Sequence, residues 1–176
     1  VANAYRLGHG EGDACPSLIC DRYDRWLVRQ LMSAGLEVFR DVIVNVLEEL
    51  VAPLGILARN DVGLRGKEQL PVGVELLRGE VPETIEVNEH GIRFLAAPWR
   101  GQKTGAFLDQ RENRVLIGEL ARGRALDCFS YHGSFALHLA RRAETVIALD
   151  VSTEALRRAG ENCARNGITN VELVEA

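Results

Sequence analysis

Two aspartates and one glycine carry the chemistry that can be read from this chain. Asp127 ends the short apolar run Ala125–Leu126, Gly133 sits in the turn that follows, and Asp150 ends a second apolar run, Val146 to Leu149. A carboxylate at the end of a second strand, about 20 residues beyond a glycine turn, is placed to accept hydrogen bonds from ribose hydroxyls. The turn lacks the G-x-G-x-x-G that lets backbone close on a pyrophosphate, for Gly133 is followed by Ser134 and Phe135. Asp127 adds negative charge where phosphates would approach. An acid there suits a ligand with a cationic amine and a sulfonium and no phosphate, a description that S-adenosylmethionine meets. The backbone of Ser130, Tyr131 and His132 would line its methionine part. The rival is a dinucleotide-binding oxidoreductase, since Asp150 would serve a NAD ribose equally well. A third reading is a noncatalytic RNA-binding or assembly module. The four histidines are scattered without metal-ligand spacing, so no metal site is expected.

The elements that must position these residues follow from periodicity. From Arg124 to Gly167 the order is strand, glycine turn, helix, strand, acid, helix, which opens a parallel βαβ unit. Ser152 stands where a helix N-cap belongs, with Leu156, Ala159 and Cys163 on one face of the helix it opens. Asn166-Gly167 ends that helix with a left-handed cap, and Val171 to Val174 begins a third parallel strand. Upstream, Gly101 to Phe107 is a loop in which Gln102, Lys103 and Thr104 offer donors, and Gly105 permits close approach to a ligand. Asp109 and Glu112 have the spacing of a capping box, before a helix striped by Asn113, Leu116, Ile117 and Leu120. Arg111 could pair with an acid or face the cofactor. Cys128 on its strand and Cys163 on its helix read as packed thiols.

Residues 1–99 read as a small α+β domain and 100–176 as half of a Rossmann-like α/β domain. In the first, strands at Ser17–Cys20 and Trp26–Leu31 flank a turn from Asp21 to Arg25. Asp13, Asp21, Arg22 and Tyr23 read as turn and capping residues there. A helix from Val38 to Val51 carries Phe39, Val42, Ile43, Val46, Leu47 and Leu50 on the face expected to pack, and Pro53 stops it. Strands follow at Gly55–Ala58, Val74–Arg78, Thr84–Val87 and Ile92–Ala96. A net charge of −4 gives no global attraction to nucleic acid, and the arginine clusters read as solvated helix faces. Four cysteines without C-x-x-C spacing point to a reduced, cytoplasmic protein, and no apolar run reaches the length of a membrane span.

The segments Gly101–Asn113 (GQKTGAFLDQREN) and Asp127–Phe135 (DCFSYHGSF), with Asp150-Val151-Ser152 at the second strand end, resemble the ribosomal RNA large-subunit methyltransferase I family. Gly12-Asp13, Pro16 and Ile19 to Tyr23 extend the resemblance over nearly the whole chain. His132 and Ser134 replace the family's Thr and second Gly, and Ser17 replaces another Gly. The resemblance implies a class I methyltransferase core, truncated here to the cofactor-binding half, and methylation of 23S rRNA, with cytosine carbon 5 favoured. It implies cofactor contacts from Gln102, Lys103, Thr104, Gly105, Arg111, Asp127, Ser130, Tyr131, Gly133, Asp150, Val151 and Ser152. It implies that the base-attacking cysteine falls beyond Ala176, leaving this piece without a catalyst of its own. It places residues 1–99 beside the substrate groove, and it names ribosomal RNA and a second copy of the chain as partners.

Overall fold

A computed structural model describes residues 2–176, which divide into two units: residues 2–87 with 96–108, and residues 88–95 with 109–176. The first unit is built on a five-stranded sheet of β1 (Ala4–His9), β2 (Leu18–Tyr23), β3 (Trp26–Leu31), β4 (Gly55–Arg59) and β5 (Val74–Gly79), paired in sequence order. All neighbours are antiparallel except β3 and β4. That parallel pair requires a crossover, supplied by α1 (Ala34–Glu37) and α2 (Arg40–Val51). A short α3 (Gly63–Lys67) follows β4.

The sheet corrects the expected hairpin. β2 runs on through Tyr23 and the turn shrinks to Asp24-Arg25, so Asp21 and Tyr23 are fully buried strand residues and not turn residues. The face of α2 is also corrected. Val44 is buried, and Leu47 and Val51 pack with it on Cys20, Leu27 and Ile56, while Phe39, Val42, Val46 and Leu50 are exposed. Apolar residues occupy more than half of this helix's circumference, so periodicity alone does not choose between the arcs.

The chain passes between the units through a hairpin of β6 (Ile85–Glu89) and β7 (Ile92–Ala96). The second unit holds a parallel sheet in the order β10 (Val171–Glu175), β9 (Thr145–Asp150), β8 (Arg124–Cys128). With it come α4 (Arg111–Leu120), α5 (Ser134–Leu139) and α6 (Thr153–Arg165). Ala121, Ala136, Leu139, Ala143, Val146 and Ala148 form a buried cluster. Burying a side chain such as Val146 stabilises by about 1.5–3 kcal/mol. Ser152 caps α6 by accepting from the Ala155 N–H at 3.2 Å, as its type and position require. At the other end Gly167 (φ 64°) donates to the Ala164 carbonyl and Ile168 to that of Cys163, a Schellman closure.

Three expectations fail in this unit. The capping box of Asp109 and Glu112 is displaced by a 3₁₀ turn, Leu108–Gln110, so Gln110 takes the cap position of α4 without a side-chain bond. On α4 the buried residues are Arg114 and Gly118, and Leu116, Ile117 and Leu120 are exposed. Arg114 is drawn in by a bidentate pair with Glu89, 2.7 and 2.6 Å, and Gly118 by the His138 carbonyl, which a Cβ there would meet at 2.9 Å. Cys128 is exposed, because alternate residues of β8 point away from the buried cluster, whereas Cys163 is buried as expected.

Candidate cofactor site

β8 delivers Asp127 and β9 delivers Asp150 to the C-terminal ends of adjacent parallel strands, the edge at which open α/β sheets take ligands. The turn between β8 and α5 is wound tightly. Phe129 (φ 60°), Tyr131 (φ 50°) and Gly133 (φ 78°) alternate in the left-handed region, a conformation in which non-glycine residues store strain. Gly133 is required twice over, since a Cβ would lie 3.0 Å from that of Ala159 on α6.

Asp150 holds this turn. Its Oδ2 accepts the Tyr131 N–H at 2.8 Å and its Oδ1 the Ser152 N–H at 2.9 Å, joining the turn to the start of α6. Each oxygen keeps a lone pair for a further donor. The Ser130 N–H donates to the Leu149 carbonyl and the Gly133 N–H to the Ser130 carbonyl, which completes the frame. Asp127 accepts the Ala136 N–H at 2.9 Å. Burial pushes its carboxyl up to about 6, the Asp150 charge adds to this, and the bond from Ala136 opposes it. The site therefore contains a desolvated acid beside a second acid, an arrangement that a cation relieves. The Ser130 hydroxyl is buried there without a hydrogen-bond partner.

His132 turns away from this edge. Its ring is buried, stacks on Phe94 at 5.1 Å and has neither nitrogen bonded, and burial lowers it to about 4, so it is neutral at pH 7. Val151 and Ser152 lie exposed at the end of β9, and Arg111 pairs with Glu112 at 3.0 Å. Thus Asp127, Ser130, Tyr131, Gly133, Asp150, Val151 and Ser152 are brought together in the second unit, with Arg111 elsewhere in it on the first turn of α4.

Gln102, Lys103, Thr104 and Gly105 belong to the first unit. Their loop is anchored by residues that sequence reasoning assigned to a turn. Thr104, 1% exposed, donates to Asp21 Oδ2 at 2.5 Å and accepts from the Tyr23 hydroxyl at 3.0 Å. The Tyr23 oxygen in turn accepts the Ala106 N–H at 3.1 Å, and Arg6 pairs bidentately with Asp21 at 2.8 and 3.1 Å. Buried Arg59 donates to the carbonyls of Pro98 and Gly101. Thr104 is thus an anchor, while Gln102 and Lys103 are exposed, the latter with its ammonium 4.5 Å over the Phe107 ring. The signal that could have found this lock is an acid and a tyrosine inside an apolar strand, where an unpaired carboxylate would be too costly to bury.

Among the described residues no group of His, Cys, Asp or Glu could hold a metal, and no helix is long and apolar enough to cross a membrane. Burial raises the thiols of Cys20, to about 12, and Cys163, so neither is a ready nucleophile.

Residues 6–174 match the family model described as S-adenosylmethionine-dependent methyltransferase. A curated relative, the ribosomal RNA large subunit methyltransferase I of Shewanella amazonensis, is 41% identical over 169 residues, covering 94% of this chain and 43% of that protein. A putative SAM-dependent methyltransferase from Streptococcus mutans shares the fold with a TM-score of 0.85 at 25% identity, covering 99% of this chain and 46% of that one. A putative methyltransferase solved with SAH gives 0.86 at 25% identity, with the same coverage. The chain spans less than half the length of these proteins.

Proposed function

The chain belongs to the S-adenosylmethionine-dependent methyltransferase family, and from that membership we propose that it forms the cofactor-holding part of an enzyme that methylates 23S ribosomal RNA, at carbon 5 of cytosine. The observation that carries the cofactor assignment is the pair of acids at the strand ends. Asp150 is fixed by two backbone donors with lone pairs left for ribose hydroxyls, and Asp127 is a desolvated carboxylate that gains from a cationic neighbour. The residues fit the group: Ser130 supplies a buried hydroxyl without a partner, and the turn supplies its left-handed backbone. Ser130, Tyr131 and Gly133 would hold the methionine part, Asp150 with Val151 and Ser152 the ribose, and Gln102, Lys103 and Arg111 would add donors, with Gly105 permitting close approach. When bound, S-adenosylmethionine supplies an electrophilic methyl group on a sulfonium. This chain's residues orient that group, with Asp127 opposing its positive charge.

The RNA assignment is supported by the ribosomal RNA methyltransferase relative. A cytoplasmic setting is supported by four cysteines in free form. A homodimer belongs to this reading, supported by the apolar arc that α2 exposes, and a monomer mass in light scattering would remove it.

The test is calorimetric titration with S-adenosylhomocysteine and, separately, NAD. Binding of the first alone, weakened tenfold or more by Asp150→Ala, is the expected result. Binding of NAD, binding indifferent to the variant, or no binding at all would each overturn the cofactor site as drawn.

A further inference from the structure

The sequence holds two arginine groups in the second unit, Arg111, Arg114, Arg122, Arg124 and Arg141, Arg142, Arg157, Arg158. The structure sorts them differently. Arg111 pairs with Glu112, Arg114 with Glu89, Arg157 with Glu154 and Glu161, and Arg158 with Glu154. Among the described residues, Arg122, Arg141 and Arg142 bond to backbone carbonyls only: Arg122 and Arg142 both donate to the Glu119 oxygen, at 2.9 and 3.0 Å, and Arg141 donates to that of His90 at 2.9 Å. Arg124 is exposed and lines an open groove with Thr145, Thr169 and Asn170.

Topology explains why these four share one edge of the sheet. Arg122 and Arg124 lead into β8, Arg141 and Arg142 lead into β9, and the two strands are parallel with Arg124 beside Thr145. All four therefore stand on the N-terminal edge of the sheet, one strand length of about 17 Å from the cofactor turn. The guanidinium nitrogens that share the Glu119 carbonyl lie within about 6 Å of each other, where like charges repel. The C-terminus of α4 favours one cation at that carbonyl, but its partial charge does not answer three. Glu119 and Glu144 stand on the same edge, and neither carboxylate pairs with these arginines. Beside Arg141 and Arg142 lies a cavity of about 410 Å³, lined also by His90, Gly118, Glu119 and His138. It has room for a phosphate group. Arg122, Arg141 and Arg142 are thus held in place by carbonyls, without a carboxylate partner among the described residues, and Arg141 and Arg142 border the polar hollow.

We propose that this edge binds the phosphodiester backbone of the substrate RNA, through Arg122, Arg124, Arg141 and Arg142. The proposal rests on the RNA-methylating reading above and adds a contact surface on the edge opposite the cofactor turn. Such contacts position RNA without reading its sequence, and they release counter-ions.

The test measures binding of a 23S rRNA fragment by fluorescence anisotropy across a salt series. Wild type is compared with the doubles Arg141→Gln/Arg142→Gln and Arg157→Gln/Arg158→Gln, which remove equal charge. The first double is expected to lose tenfold or more in affinity, with the salt slope falling by about 2, and the second to change little. S-adenosylhomocysteine binding, measured in parallel, should be the same in all three. Equal losses in the two doubles, no loss in either, or no RNA binding by a chain that binds S-adenosylhomocysteine would overturn the proposal and leave the cofactor site standing. Inorganic phosphate at millimolar concentration, at constant ionic strength, should not displace the RNA. If it does, the site is one for a free small anion and the proposal fails.

Discussion

Asp127 is held in a state that costs the fold. Its carboxyl stands at about 6 against an ordinary 3.8, so the native chain binds that proton more tightly than the unfolded chain does. The native state is therefore penalised above pH 6, and the penalty fades as pH falls toward 4. Asp127→Asn, which keeps an acceptor for the Ala136 N–H, should raise stability at pH 8 by about 1–2 kcal/mol and leave it unchanged near pH 4, read by thermal unfolding at both. The same variant should weaken S-adenosylhomocysteine binding, and wild-type affinity should drop below pH 6, where the acid no longer opposes the ligand's amine. Asp127 and Asp150 were legible in the sequence because an acid ending an apolar run advertises a strand end. Asp21 and Tyr23 were not, because the hydroxyl that meets them lies about eighty residues away in the loop at Thr104.

Among the elements, α4 shows what periodicity misses. Its exposed arc carries Leu116, Ile117 and Leu120, and its buried contact is an ion pair that no hydrophobic pattern encodes. Glu89 is pushed up by burial, but the His138 imidazole 3.3 Å away and the bidentate bonds from Arg114 outweigh this and bring it down to about 2. A depressed carboxyl contributes stability above its ordinary value near 4.5 and loses that contribution as pH falls toward 2, so acid unfolding of the second unit should begin in that window. Arg114→Met would strand the buried Glu89 charge and should cost about 3–5 kcal/mol in chemical denaturation. Gly133→Ala forces a side chain into a left-handed turn against α6, and a loss of about 1–2 kcal/mol is expected, with weaker cofactor binding. The succession of the βαβ elements, the caps of α6 and the third parallel strand were legible because caps and turn glycines act locally. The packing faces of α2 and α4 were not, because both helices are apolar on more than one side.

Across the whole molecule, the four thiols give a direct check on burial. Cys15 and Cys128 are exposed and Cys20 and Cys163 buried, so a thiol reagent should label two groups quickly and the other two only after denaturation. Fast labelling of Cys163 would contradict the packing of α6. The formal charge of −4 concealed the sorting of arginines into paired and unpaired sets, since composition counts charges and only the fold pairs them. The lock of Asp21, Tyr23 and Thr104 also carries a consequence in time. Closing a long loop is slow compared with pairing neighbours in sequence, and a chain emerging from the ribosome displays β2 long before residue 104 exists. Until then the Asp21 carboxylate and Tyr23 hydroxyl lack their Thr104 partner, so the first unit, although its sheet is nearly all N-terminal, closes this polar contact only after the hairpin of β6 and β7 has been synthesised and the chain has returned.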